Sequence, residues 1–395
     1  MKTYGLFAGI GGFELGLAAV GHETVGLCEI LPAAQVVLRA GLPNIPIHAD
    51  VKTLTELPKE TELVCAGFPC QDLSQAGQTR GLEGHRSALV YEVFRLLGSS
   101  RAPWVVLENV PFMLQLRQGA AMREIIKELE TLGYQWAYRV VDTYSFGLPQ
   151  RRERVFLVAS NVGDPSHVLL ADDNPIKRPM TALGTVAHGF YWTEGRGGLG
   201  WAPDAVPTLK NGSTIGIPSP PAILLSDGRI VKPDLRDTER LQGFPSDWTK
   251  PAESVGRTSS RWGLVGSAVS VPVTKWLGSR LTHIGAYDAG RDRPFPATGK
   301  LPKAARFDGT SRHAVDISTD PIGIRAPSLE AFLQFPPDPL SVKATAGFLS
   351  RTRVATLRFA DGFIESVERY LDDARMREGV RSGNLERIPE TASIF

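Results

Sequence analysis

The chain has 395 residues, room for two or three domains at about 150 residues each. A hydrophobic fraction of 42% and a charged fraction of 22% exclude wholesale disorder. The formal net charge of +2, from 44 Lys and Arg against 42 Asp and Glu, excludes a uniformly basic coat but permits a local basic groove. Three cysteines (Cys28, Cys65, Cys70) are too few for a disulfide framework and point to a reducing compartment. No apolar run approaches the roughly 18 residues that span a bilayer. The first residues reach glycines and Glu14 too early for a secretory leader. A cytoplasmic enzyme or binding protein is expected.

In chain order, short apolar runs predict strands at Tyr4–Phe7, Thr24–Leu27, Leu63–Ala66, Trp104–Leu107 and Val155–Ala159. Helical periodicity predicts helices between them at Phe13–Ala19, Ala33–Arg39, Ser87–Leu97 and Met122–Leu132, with Gly133 as a C-cap. This alternation predicts an α/β fold: a doubly wound, mostly parallel sheet with helices on both faces. After Ser160 the composition changes. Residues 161–233 are rich in Gly, Pro, Ser and Thr with scattered aromatics, and predict a small loop-rich β domain. Helical order returns at Arg236–Gln242 and Val269–Arg280. The expected division is 1–160 completed by about 264–283, a small region 161–263, and an extension 285–395 of unassigned role. The extension holds one amphipathic helix with Phe363, Ile364, Val367, Tyr370, Leu371 and Ala374 on one face.

Five constellations carry chemistry. Phe7-Ala8-Gly9-Ile10-Gly11-Gly12-Phe13 lies between a strand and a helix, where glycines let the backbone approach a ligand. No Gly-Lys-Ser/Thr follows, so it is not a P-loop. Glu29 ends the next strand, where an acid commonly accepts hydrogen bonds from ribose hydroxyls, and Asp50 ends the following segment in the same manner. Either alone reads as a solvated loop charge; together, after a glycine loop, they indicate a nucleoside-containing cofactor. Cys70, in Gly67-Phe68-Pro69-Cys70-Gln71-Asp72-Leu73-Ser74, stands on a strand-end loop suited to a nucleophilic thiolate. An isolated cysteine is more often a small buried hydrophobe, and Cys65, inside the strand, reads that way. No Cys-x-x-Cys or histidine pair accompanies them, so no metal is expected.

Glu108, in Glu108-Asn109-Val110, emerges from an apolar strand; desolvation there raises a carboxyl pKa toward proton-donor range. The bland alternative is a helix-capping carboxylate. In Gln150-Arg151-Arg152-Glu153-Arg154, alternation sends Arg152 and Arg154 to one side, as a pair of guanidiniums for a phosphate or a carbonyl oxygen, or as an exposed charge cluster.

In this order and spacing the motifs resemble the DNA (cytosine-5)-methyltransferase family. Arg236–Phe244 and Gly263–Val271 resemble its last two motifs, so the likeness spans residues 2–283. The resemblance implies a class I, Rossmann-like methyltransferase using S-adenosyl-L-methionine, releasing S-adenosyl-L-homocysteine, without a metal. It implies that Phe7, Gly9, Ile10, Gly11, Gly12, Glu29, Ile30, Asp50, Val51, Gly67, Pro69, Leu89, Ser267 and Ala268 line the cofactor site. Ser267 departs from the Asn usual there. Cys70 would add to cytosine C6, Glu108 would protonate or hydrogen-bond N3, Arg154 would bind the O2 edge, and Arg152 would help hold the base or backbone. The base must be flipped out of duplex DNA. Gln71, Ser74 and Thr208 are the implied DNA contacts, residues 71–86 the closing loop, and 161–233 the target-recognition segment. A monomer acting on double-stranded DNA, accompanied by a restriction or defence nuclease, is the implied setting. An RNA methyltransferase on the same scaffold and a catalytically silent homologue remain the alternatives.

Overall fold

A computed structural model describes residues 1–69, 89–178, 182–194, 200–212 and 220–385, with side chains to residue 379. The first half builds a parallel sheet. β1 (Lys2–Leu6) leads through α1 (Gly12–Ala18) to β2 (Glu23–Cys28), then through α2 (Pro32–Gly41) to the short β3 (Ile47–His48). β4 (Leu63–Gly67) pairs on the other side of β1, and α3 (Val90–Ser100) connects to β5 (Trp104–Asn109). β1, β4 and β5 are almost continuously buried because helices cover both sheet faces. The chain leaves β1 in one direction for β2 and β3 and returns on the other for β4 and β5. That reversal opens a crevice at the carboxyl ends of β1 and β4, where ligands of such sheets bind.

The sheet then changes character. α4 (Ala120–Thr131) leads to β6 (Gln135–Asp142), and a short connection through β7 (Gln150–Arg151) delivers β8 (Glu153–Ser160). So short a link returns the chain antiparallel, and β8 inserts between β5 and β6. β6 is a strand the sequence reading does not contain. Arg139 interrupts its apolar run, yet is fully buried, donating to the carbonyls of Leu169, Asp172 and Ser318.

A short helix, α5 (Ser166–Leu169), precedes the small sheet, which contains β9 (His188–Phe190), β10 (Ala202–Pro203), β12 (Ala222–Leu224) and β13 (Ile230–Lys232). The intervening β11 (Val206–Pro207) pairs instead with β7, parallel. The chain then crosses back through α6 (Leu235–Leu241), α7 (Ser260–Ser267) and α8 (Val271–Thr282). α8 packs on α1, and Gly16 gives it room: a Cβ there would lie 2.0 Å from Thr274 Oγ1.

Residues after Gly285, set apart as an extension in the sequence reading, are divided between both sheets. β14 (Asp292–Pro294), β15 (Ala304–Phe307) and β16 (Arg312–Val315) extend the central sheet beyond β6, giving the order β14-β16-β15-β6-β8-β5-β4-β1-β2-β3. The chain continues through α9 (Leu329–Phe332) to β17 (Asp338–Pro339), which joins β13. α10 (Val342–Thr352) and the amphipathic α11 (Phe363–Leu385) then cover the small sheet. Phe348, Phe363, Val367, Tyr370 and Leu371 share one buried cluster with Phe190, Leu224 and Ile230.

Candidate active site

The glycine loop follows β1 directly. Phe7, Gly9 and Gly11 all take positive φ (54°, 56° and 88°), a conformation that favours glycine and makes Phe7 exceptional. Among the described residues a Cβ on Gly9 would meet nothing within 4 Å, so the loop presents open space to them there. Gly12 differs: its Cβ would lie 2.3 Å from the Val269 carbonyl oxygen. The late motif thus packs against the loop, and two hydrogen bonds fasten it. Thr274 Oγ1 donates to Gly12 O at 2.8 Å, and Trp248 Nε1 donates to Ile10 O at 2.7 Å.

Glu29, after β2, is buried and accepts from Gly9 N through Oε2 and from Leu31 N through Oε1, each at 2.7 Å. Burial raises its pKa, against the lowering effect of these N–H groups. Each carboxylate oxygen keeps further acceptor capacity. Beside it, Ile30 is 62% exposed, an apolar surface at the mouth of the crevice. Asp50 is partly buried and accepts from Lys52 N at 3.0 Å. The Val51 side chain belongs to the core, and its carbonyl accepts from Arg95 Nη2 at 3.0 Å. Leu89 is partly buried against that same core. Ser267 is exposed at the end of α7, whereas Ala268 is buried with its carbonyl held by Arg152.

The β4 and β5 ends meet side by side: Gly67 and Glu108 are register partners. A Cβ on Gly67 would lie 3.5 Å from Glu108 Oε2, an ordinary contact distance, so the carboxyl sits directly over the end of β4. Glu108 is buried, and Arg154 Nε approaches its Oε1 at 3.1 Å. Burial pushes the Glu108 pKa up, and the guanidiniums of Arg154 and then Arg152 pull it back in part. Pro69 is exposed at the last described position before Cys70. Cys70, Gln71, Ser74 and the closing-loop segment lie outside the described residues. Asn109, quoted in the motif but given no role, anchors their approach: its Nδ2 donates to Phe68 O at 3.0 Å, and its Oδ1 accepts from Val110 N.

Arg152 departs from its expected place at the base. It is 1% exposed and donates to the carbonyls of Leu209 (3.0 Å), Gly266 (3.3 Å) and Ala268 (2.7 Å). A guanidinium enclosed in this way has no face left for a base or a phosphate. It clamps the Thr208-Leu209 element to the late motif instead. Gln150 and Gln242 extend the clamp: Gln150 donates to Leu241 O and accepts from Leu209 N, and Gln242 donates to Val265 O. The Thr208 hydroxyl is likewise engaged, donating to Arg151 O at 2.8 Å. Tyr191, which sequence reasoning missed, donates its hydroxyl to Thr208 O, and Lys210 lies over its ring at 3.7 Å. Their only sequence signal is their spacing around the Thr-Leu pair.

Among the described residues no group of His, Cys, Asp or Glu is placed to hold a metal, and no helix is long and apolar enough to cross a membrane. A glycine loop after β1, an acid after β2 and a second acid at the end of β5, on a sheet with this reversal, define a class I, Rossmann-like methyltransferase fold. The chain belongs to the C-5 cytosine-specific DNA methylases, whose family model matches residues 1–190. It is 44% identical over 388 residues to the type II methyltransferase M2.BsuMI of Bacillus subtilis, covering 94% of this chain and 98% of that one. It is 28% identical over 312 residues to the type II methyltransferase M.HaeII of Haemophilus aegyptius, covering 71% and 93%. The crystal structure of the S. pombe Dnmt2 methyltransferase shares the fold, with a TM-score of 0.52 at 18% identity over 72% of this chain and 98% of that one.

Proposed function

We propose that this chain methylates C5 of a flipped-out cytosine in a specific duplex DNA sequence, with S-adenosyl-L-methionine as donor, as the modification partner of a restriction nuclease. The observation that carries the reading is the buried Glu108 carboxyl, 3.1 Å from Arg154 Nε and beside the strand that leads to Cys70. The crevice also suits the donor. Gly9 presents open space, Glu29 keeps acceptor capacity for ribose hydroxyls, and Ile30 offers an apolar surface for an adenine. Phe7, Asp50 and the Gly11–Gly12 backbone would complete its binding. The donor supplies an electrophilic methyl on a sulfonium.

The protein must make C5 nucleophilic. Cys70 thiolate adds to C6, forming an S–C6 bond while the C5–C6 π pair shifts to C4–C5 and charge passes to N3. Glu108 delivers a proton to N3, or hydrogen-bonds it, so that charge does not accumulate on the ring. Arg154 holds both Glu108 and the O2 edge. C5 then takes the methyl, leaving the neutral thioether as product; Glu108 takes back the N3 proton, C5 loses its own proton to a base, and the returning electron pair expels the Cys70 thiolate. Arg152 acts one step removed, by holding the frame in which Arg154 stands.

Bisulfite mapping of DNA from cells expressing the chain locates the methylated cytosine. A duplex carrying 5-fluorocytosine there should trap the enzyme in a denaturant-resistant adduct that forms only with the donor present, because fluorine cannot leave as a cation. Cys70→Ala should abolish trapping and Glu108→Gln should slow it. Persistence of the adduct in Cys70→Ala would overturn the assignment.

A further inference from the structure

Glu14, in the first turn of α1, is a carboxyl that the chemistry above leaves unused. It is only 3% exposed. It fills the space that Gly5 vacates on β1: a Cβ at position 5 would lie 2.1 Å from Glu14 Oε1 and 3.0 Å from Leu27 Cδ2. Leu27 and Cys65 are the register partners of Gly5 on β2 and β4, so the carboxyl sits over an apolar stretch of sheet. Among the described residues, Glu14 Oε2 has no hydrogen-bond partner. It lies 3.8 Å from where a Cβ of Gly11 would stand, directly behind the glycine loop. An aliphatic side chain would fill this site without leaving an orphaned acceptor, and such an acceptor is destabilising.

The titratable groups facing it are few. Glu29 stands beyond β2 at the other side of the loop, and the Cys65 thiol lies on β4. From α8 the neighbour is the Thr274 hydroxyl, bound to Gly12 O, while Lys275 is exposed. Burial, opposed by a hydrogen bond from its own backbone N–H and assisted by Glu29, pushes the Glu14 pKa up to about 7. The carboxyl is therefore neutral in mildly acidic solution and on the edge of ionising at neutral pH.

Resting on the cofactor reading above, we propose that Glu14 is a proton-coupled positioning residue: it ionises behind the loop when a positively charged cofactor binds, and so favours the sulfonium donor over its neutral thioether product. Donor and product differ at sulfur by one methyl and one positive charge. In a site of low dielectric, a new carboxylate is stabilised by the cation and gains nothing from the thioether. The sign follows from linkage. Donor binding lowers the Glu14 pKa and releases a proton, so donor affinity rises with pH up to the pKa of the free protein and is flat above it.

Calorimetric titration of the full chain with S-adenosyl-L-methionine and with S-adenosyl-L-homocysteine, between about pH 5.5 and 7.5, tests this. Donor affinity should tighten about three- to tenfold over that range, below the ceiling of tenfold per pH unit for one proton. Repeating the titration in buffers of different ionisation enthalpy should show proton release. Product affinity should change by less than about twofold. Glu29 faces the ribose that both ligands share, so its titration would appear equally in both profiles. Glu14→Gln should flatten the donor profile at its acid-side value. Glu14→Leu, which replaces the orphaned carboxyl with an apolar side chain, should fold and show the same flat profile. Equal pH dependence for donor and product, or a rise that survives in both variants, would overturn the proposal. Failure of either ligand to bind the wild-type chain at any pH would instead overturn the cofactor reading beneath it.

Discussion

Around β1 and β2 the residues at the crevice come from adjacent turns of chain: Phe7 to Gly9, then Glu29 and Ile30, while the Ile10 side chain turns into the core. Around β7 and β8 the opposite holds. Arg152 joins carbonyls at Leu209, Gly266 and Ala268, more than fifty residues away in each case. The first region is a set of loops that a parallel sheet displays at its carboxyl edge. The second is a buried polar junction, in which each side chain has a task only because distant segments have arrived. Locally encoded groups at the sheet edge are those proposed to meet the cofactor, whereas enclosed, long-range groups hold the frame. Glu108 and Arg154 stand where the two regions meet, one at the end of a parallel strand and the other at the start of an antiparallel one.

The comparison breaks most readily at Arg152. Arg152→Ala removes a buried guanidinium, strands the Leu209 and Gly266 carbonyls and leaves Ala268 O with the Gln242 amide alone, at a cost of about 2–5 kcal/mol. Arg152→Lys should recover little, because one ammonium cannot reproduce the planar fork that spans Leu209, Gly266 and Ala268. Chemical denaturation reads both variants. A loss below about 1 kcal/mol, the range of an ordinary surface substitution or a single solvated hydrogen bond, would show the clamp to be dispensable.

A smaller effect is expected at Gly12, where the two regions touch. Gly12→Ala drives a methyl against the Val269 carbonyl oxygen, which is backbone and cannot rotate away. Overpacking of this kind costs about 1–3 kcal/mol. Because the displaced segment carries Ser267 and Ala268, donor affinity measured by calorimetry should fall along with the unfolding midpoint. Gly9→Ala provides the contrast. Its methyl meets nothing among the described residues, so its cost comes from the left-handed backbone alone, about 1 kcal/mol. If the two variants lost the same stability with no difference in donor affinity, the late motif would not be shaping the loop.

The same division explains what was legible in the sequence. Gly9, Glu29 and Glu108 could be placed because each follows its own apolar strand, and a single window of sequence contains both. β6 was not legible, since Arg139 breaks its apolar run and is satisfied only by Leu169, Asp172 and Ser318 from other parts of the chain. Strands β14–β16 are short and polar at one end, and nothing in residues 292–315 announces that their partner is β6. Arg152 and Arg154 look alike in sequence, two guanidiniums on one side of a strand. Burial separates them: Arg154 reaches Glu108, and Arg152 is sealed beneath the Thr208-Leu209 element. Phe363, Val367 and Tyr370 were visible as an apolar helix face, but the surface they cover, around Phe190 and Leu224, could not be read from the helix.

The smallest effect on stability belongs to Ile30, and it sharpens the comparison most. Ile30 is 62% exposed on the crevice side of Glu29, with no part in a buried cluster. Ile30→Ser should therefore change stability by no more than about 0.5 kcal/mol, as surface substitutions do. If the side chain instead packs on the adenine when the donor binds, the apolar area lost on binding is worth about 1–2 kcal/mol. Donor and product, which carry the same adenine, should then weaken together by about five- to thirtyfold, since 1.4 kcal/mol is a factor of ten. The flat stability and shared loss would separate Ile30 from Glu14, whose effect should fall on the donor alone. An unchanged affinity for both ligands would make Ile30 an ordinary exposed side chain and move the adenine to another wall of the crevice.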